Sequence, residues 1–122
     1  MPHADIVLSA SALSGDIVVT REGENLGKIE DLMIDLEYRR IAYVVLSLGG
    51  FLGIGDRLLA IPWDVLLRDP KGKRFILDVN KERLKNAPGF DKDHWPQMAD
   101  RKWGHDVHSY YRRRPYWEWS FK

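Results

Sequence analysis

Two aspartates that could do chemistry lie four positions apart in the segment LGKIEDLMIDL. If this segment is a strand, Asp31 and Asp35 share one face and Glu30 lies on the other. Carboxylate oxygens are the ligands that Mg²⁺ and Ca²⁺ prefer, so a metal-dependent enzyme that uses these carboxylates is one hypothesis. The alternative is ion pairing with basic residues such as Lys28 or Arg39. We favour ion pairing, because exposed strand faces are normally polar.

A second set of candidate ligands is the motif HDVH, in which His105 and His108 stand three positions apart. On a helix, this spacing places both rings on one face. Catalytic zinc needs about three protein ligands, and the sequence has no H-E-x-x-H motif to supply them. Ser47 also lacks the G-x-S-x-G setting of a hydrolase nucleophile. We therefore predict no catalytic residue, no metal site and no cofactor.

The segment YYRRRPYWEWSFK interleaves three arginines with aromatic residues. Bases stack on aromatic rings while arginines bind phosphate, so single-stranded RNA is a further hypothesis. A formal net charge of +1 argues against nucleic acid as a partner. The alternative is that the tail packs on the rest of the chain and buries its rings. Trp117 and Trp119 of this tail are predicted protein-interface residues.

The segment SLGGFLGIGD sets large apolar residues among four glycines. A phosphate-binding loop is disfavoured, because the glycines do not form G-x-G-x-x-G and the next segment has the pattern of a strand. The side chains either fold back over the end of the domain or form an exposed apolar patch, which is typical of an interface. The predicted contact residues of this loop are Gly50, Phe51, Leu52, Gly53, Ile54 and Gly55.

The sequence segments that contain these residues have the pattern of short strands separated by turns. The predicted strands are Asp16–Thr20, Leu26–Leu36, Ile41–Leu48, Asp56–Ile61 and Arg74–Val79. Alternation places Leu32, Ile34 and Leu36 on the buried face of the second strand. Strands at this spacing predict a small barrel or closed sheet. Asn80 is a candidate N-cap for a brief helix that ends before Pro88.

Composition limits the class of protein. A chain of 122 residues suits one modest core. It contains no cysteine, which excludes disulfides and fits the cytoplasm, the predicted location. Apolar runs are too short for a membrane span, so no membrane insertion is expected. Nine of the fourteen aromatic residues follow Pro88, so we predict a domain over residues 11–88 and an aromatic, mildly basic extension over residues 89–122.

The order of these segments resembles a known family. The stretches GENLGKIEDLMID, IAYVVL, AIPW and FILDV, within residues 11–96, are similar to those of the PRC-barrel family. That module is named for the cytoplasmic part of the photosynthetic reaction centre H subunit, and it is also similar to the C-terminal domain of a ribosome maturation factor. The resemblance implies a small β-barrel with a protein-docking role and no catalysis of its own.

Together these observations predict a mainly β protein: a small PRC-type β-barrel with a short helix and an aromatic C-terminal extension. Its predicted function is that of a non-catalytic protein-interaction or assembly module that self-associates, with a free edge strand available to pair in a homodimer. The alternatives are the enzyme that uses Asp31 and Asp35, and RNA binding through the tail.

Overall fold

The structure is a computed structural model, and it describes residues 7–48, 57–69 and 74–119. Within these ranges the strands are β1 (Ile17–Val19), β2 (Asn25–Asp35), β3 (Arg40–Ser47), β4 (Leu58–Pro62), β5 (Leu66–Asp69) and β6 (Arg74–Leu77). The helices are α1 (Ala10–Leu13), α2 (Lys81–Lys85) and α3 (Arg101–Tyr110), with 3₁₀ turns at Trp63–Val65 and Tyr116–Glu118. In this part of the chain, no helix is long and apolar enough to cross a bilayer.

The strands form one curled sheet in the order β4-β3-β2-β1-β6-β5. Neighbouring strands are antiparallel, except that β1 and β6 run parallel. The prediction of a mainly β fold with a short helix is confirmed. Pro62 ends the edge strand β4, where a missing N–H costs no bond within the sheet.

Strand β3 is apolar on both faces because both faces are covered. Val44, Val45 and Leu46 are fully buried, and every residue of β4 is buried beside them. A continuous apolar sequence is typical of a strand that lies between two packed layers. The extension supplies one of those layers.

The end of β2 differs from the predicted pattern. The strand stops at Asp35, whose Oδ1 accepts hydrogen bonds from the backbone N–H groups of Glu37 and Tyr38, both at 2.9 Å. An aspartate that binds the backbone in this way makes a turn. The prediction that Ile34 and Leu36 face the core is therefore wrong, since their exposed fractions are 56% and 85%.

The C-terminal extension packs on the sheet. Phe90 pairs with Leu58 at the β4 edge through two backbone hydrogen bonds of 2.9 and 3.0 Å. The chain then leads into α3, which contacts β4. Tyr111 and Tyr116 are buried there. The described part of the tail thus buries aromatic area against the barrel.

The brief helix after β6 forms as predicted. Asn80 Oδ1 accepts a hydrogen bond from the Arg83 backbone N–H at 2.9 Å, which is the N-cap contact. The Arg83 guanidinium donates to the Tyr110 carbonyl and lies 4.6 Å from the centroid of the Tyr110 ring. The Tyr110 hydroxyl in turn donates to the Arg83 carbonyl at 2.6 Å. Helix α2 therefore anchors the far end of α3.

Candidate functional site

An open groove of about 600 Å³ lies between the end of the β2–β3 hairpin and the segment that enters α3. Its walls are apolar: Met33, Ile34 and Leu36 on the hairpin side, and Trp95, Pro96 and Met98 on the extension side. Its polar side chains include Asp35, Glu37 and Arg101. Exposed apolar side chains around an open groove are typical of a binding surface.

Asp35 is the most heavily bonded polar group of the groove. Besides the two backbone N–H groups of its turn, it accepts a hydrogen bond from the Tyr116 hydroxyl and lies 3.4 Å from Arg101 Nη1. Burial alone would raise the pKa of the Asp35 carboxyl, but these hydrogen bonds and the Arg101 charge outweigh burial and hold that pKa below its ordinary value. Burial and the bond to Asp35 raise the pKa of Tyr116 to about 12. Asp35 is therefore an ionised structural acceptor.

Arg101 joins the barrel to its extension. Its Nη1 donates to the Tyr116 hydroxyl at 3.1 Å, and its Nη2 lies 3.5 Å from Glu37 Oε1. The guanidinium carbon is 4.4 Å from the ring centroid of Trp117 and 5.4 Å from that of Tyr38. Arginine suits such a place, because its flat cation can stack on rings while its edge binds carboxylates.

We expect Arg101→Ala to lower the free energy of unfolding by about 2 kcal/mol, since it removes charged hydrogen bonds and ring contacts at a partly exposed site. Arg101→Lys should lower the free energy of unfolding by a smaller amount, because the lysine ammonium keeps the positive charge, although it lacks the planar fork of the guanidinium. Urea denaturation of both variants measures the difference. Equal stability of the alanine variant and the wild type would show that the network does not hold the extension in place.

Helix α3 sits closely over Tyr43 because residue 104 is glycine. A Cβ at this position would lie 2.5 Å from the Tyr43 hydroxyl and 2.8 Å from Trp117 Cη2. Tyr43 is 1% exposed, and its hydroxyl has no hydrogen-bond partner among the residues that the structure describes. Burial raises the pKa of Tyr43 well above its ordinary value, so the phenol stays neutral.

His108 is buried one turn along the same helix. Its Nδ1 lies 2.7 Å from the Gly104 carbonyl oxygen, and its ring is packed against Tyr43, Tyr116 and Trp117. Because a cation is poorly solvated there, burial lowers the pKa of His108 below its ordinary value. A neutral imidazole donating to the carbonyl fits this position, so the residue acts in packing.

The burial of His108 predicts acid sensitivity. An unfolded chain binds a proton at this histidine below about pH 6.5, whereas the folded chain resists doing so. The contribution of neutral His108 to the free energy of unfolding should therefore be fully present above that pH. As the pH drops below it, the free energy of unfolding should decrease, with a slope approaching about 1.4 kcal/mol per pH unit for one proton. Denaturation curves between pH 7 and pH 5 measure the slope. His108→Phe should flatten it, whereas His105→Phe, at an exposed position, should not.

The structure does not bring the candidate carboxylates and histidines together in one site. Asp31 is exposed and accepts a hydrogen bond from the Leu32 backbone N–H at 2.8 Å, while Asp35 pairs with Arg101. His105 points to solvent and His108 to the core, so their shared helix face is not a ligand pair. Within the described ranges, no three His, Asp or Glu side chains are grouped so that they could hold a metal.

The two predicted contact tryptophans lie against the chain itself. Arg101 stacks on Trp117, and Arg40 lies 4.4 Å from the ring centroid of Trp119, whose indole N–H donates to the Arg114 carbonyl at 3.2 Å. These arginines already cover ring surface that a base would use. A role for either tryptophan in contacts with another protein stays a prediction.

The glycine-rich loop falls in the gap between two described ranges. Gly50, Phe51, Leu52, Gly53, Ile54 and Gly55 all lie outside the described residues. Two residues flank the gap. Leu48, which follows β3, is buried, and Arg57, which precedes β4, is half-buried. The contact role of the loop stays a prediction.

The part of the chain that forms the sheet matches a known protein family. The PRC-barrel domain profile matches residues 5–84, more than half of the 122-residue chain. The chain belongs to the PRC-barrel family. A comparison with curated proteins found no match. The matched region of this PRC barrel ends within α2, so Trp95, Arg101 and Tyr116 lie beyond it. One groove wall therefore comes from the matched barrel and the other from the extension.

Sequence reasoning missed most of the groove of this PRC barrel. It considered Asp35 as a metal ligand and favoured ion pairing with basic residues such as Lys28 or Arg39, but no local pattern pairs Asp35 with Arg101, sixty-six positions later. Strand alternation also placed Leu36 on a buried face. One signal was present: the polar run EYRR after Leu36 indicated a turn, where a side chain easily becomes exposed.

Proposed function

We propose that this PRC barrel is a non-catalytic docking module whose groove receives an apolar segment of a protein chain. The observation that supports this role is the exposure of Leu36 and Ile34, at 85% and 56%, beside an open groove. Water contact with this much apolar surface is unfavourable, and a partner would remove it.

The polar groups of the groove favour docking over catalysis. Asp35, Tyr116 and Arg101 hydrogen-bond to one another, so none stands ready as a general base or nucleophile. A catalytic base must reach a substrate proton, and its pKa is normally close to the working pH. The pKa of Asp35 is instead held below its ordinary range.

The experiment is site-specific photo-crosslinking in the source cell. A benzophenone amino acid at Leu36 should capture a defined protein, which is then purified and titrated against the wild type and against Leu36→Glu. We expect a charge at this position to weaken binding at least about tenfold, since it buries an unpaired carboxylate. Leu67→Glu, at a leucine of β5 that is 46% exposed, is the matched control and should bind like the wild type.

Binding that Leu36→Glu leaves unchanged would place the contact elsewhere and refute the groove as the docking surface. Robust turnover of ester or phosphate substrates by the purified wild type would refute the non-catalytic role.

A further inference from the structure

The groove carries more negative than positive charge. Among the described residues that line it, Asp35 and Glu37 are the carboxylates and Arg101 is the one cation. Arg101 lies 3.4 Å from Asp35 and 3.5 Å from Glu37, so two carboxylates share one guanidinium. Counted over these residues, one negative charge of the groove is left unbalanced.

The unbalanced charge is the accessible one, at Glu37. The Asp35 side chain is only 11% exposed and also accepts the Tyr116 hydroxyl, whereas the Glu37 side chain is 80% exposed. Glu37 follows directly on Leu36, the exposed leucine of the same groove wall. A ligand that covers Leu36 therefore comes close to the Glu37 carboxylate.

The segments on both sides of the groove have the same excess of negative charge. With His94 counted as neutral, residues 33–39 and 91–101 contain five acidic and three basic residues, although the formal net charge of the whole chain is +1. The acidic residues are Asp35, Glu37, Asp91, Asp93 and Asp100, and the basic residues are Arg39, Lys92 and Arg101. This excess disfavours nucleic acid and anionic lipid as ligands, since both are negatively charged.

An exposed aromatic ring on the opposite wall also favours a cation. Trp95 lies on the extension side of the groove and is 37% exposed. Lysine and arginine side chains bind the faces of tryptophan rings. The Glu37 carboxylate on one wall and the Trp95 ring on the other can therefore both contact a positively charged segment.

We infer that the groove receives an amphipathic segment of a partner protein in which an apolar anchor is flanked by lysine or arginine, an inference that rests on the proposed docking function. The anchor covers Leu36 and Ile34, and the cation balances Glu37. Opposite charges across a contact chiefly determine which partner is accepted, while apolar burial supplies most of the affinity. A segment with the same anchor and acidic flanks should be rejected.

Matched peptides test the sign of the partner's charge. The probes are a labelled amphipathic peptide of leucine and lysine at helical spacing and the same peptide with glutamate in place of every lysine. Fluorescence anisotropy at low salt should show the lysine peptide binding at least about tenfold more tightly. Glu37→Gln should weaken the lysine peptide about threefold. Glu82→Gln, at an exposed glutamate of α2 near the other end of α3, is the matched control and should bind like the wild type.

A second measurement separates the two proposals. Leu36→Lys and Leu36→Glu remove the same apolar contact but introduce opposite charges. Titrated against the photo-captured protein, Leu36→Lys should bind at least about fivefold more weakly than Leu36→Glu, because its ammonium faces the cation of the partner. Circular dichroism checks that each variant is folded.

Equal affinity of the two peptides, or binding by Leu36→Lys that equals or exceeds that of Leu36→Glu, would overturn the inference of a basic partner. If both Leu36 variants nevertheless bind the captured protein more weakly than the wild type does, the docking function stands. If neither variant binds more weakly, both proposals fail.

Discussion

Gly27→Ala is expected to lower the free energy of unfolding by about 4 kcal/mol, at the upper end for one substitution. Gly27 lies in β2 with φ +144°, a conformation that side chains rarely adopt. A Cβ there would overlap the carbonyl oxygen of Ser47 in β3 and lie 3.0 Å from Cα of Leu48, the residue that follows β3. Both neighbours are backbone atoms, so no side-chain rotation relieves the overlap. Chemical denaturation followed by tryptophan fluorescence measures the loss.

The control for Gly27 is Gly23→Ala. Gly23 also has positive φ, at +88°, but a Cβ there would meet no atom within 4 Å. Gly23→Ala should lower the free energy of unfolding only through backbone strain, by about 1 kcal/mol. If the two alanine variants were equally stable, close approach of β2 to β3 would not be the reason for glycine at position 27.

Gly104→Leu is expected to cost about 3 kcal/mol, because overpacking a buried contact forces neighbours to move. The added side chain would displace α3 from Tyr43 and Trp117, which lie within 3 Å of a Cβ at position 104. The extension would then detach first, which hydrogen exchange along α3 would detect as faster exchange than in the wild type. Ser109→Leu, at an exposed position of the same helix, is the control and should change stability by less than about 0.5 kcal/mol.

A double-mutant cycle tests whether the Tyr43 hydroxyl is the obstacle. Gly104→Ala gains up to about 1 kcal/mol of helix propensity, but its methyl group would press on a hydroxyl that has no hydrogen-bond partner in the described structure. In a Tyr43→Phe background the alanine should be tolerated better, by about 1 kcal/mol. Strictly additive effects would show that Trp117 alone limits the space.

The strands could be predicted because their sequences carry the signal locally. IAYVVLSL is apolar at successive positions, and it forms β3, buried on both faces. Asn80 caps α2 as its residue type suggests. Both features depend on neighbours within a few positions, which a sequence shows directly.

The groove could not be predicted, since it depends on contacts between distant positions. Asp35 stands next to apolar residues in sequence, yet its main charged partner is Arg101. His108 belongs to a polar-looking motif, but α3 turns its ring toward the core and His105 toward solvent. Which side of a helix is buried depends on the surface it meets, and here that surface is Tyr43.

The parallel pairing of β1 with β6 has a consequence for the speed of folding. Val18 pairs with Phe75, so nearly half the chain must be closed into a loop before this pair can form. Closing a long loop costs entropy before any contact rewards it, and such distant pairings slow folding. The strands β2, β3 and β4 follow one another in sequence and pair in that order, so they should become protected early. The β1–β6 pair should set the rate at which the barrel is completed.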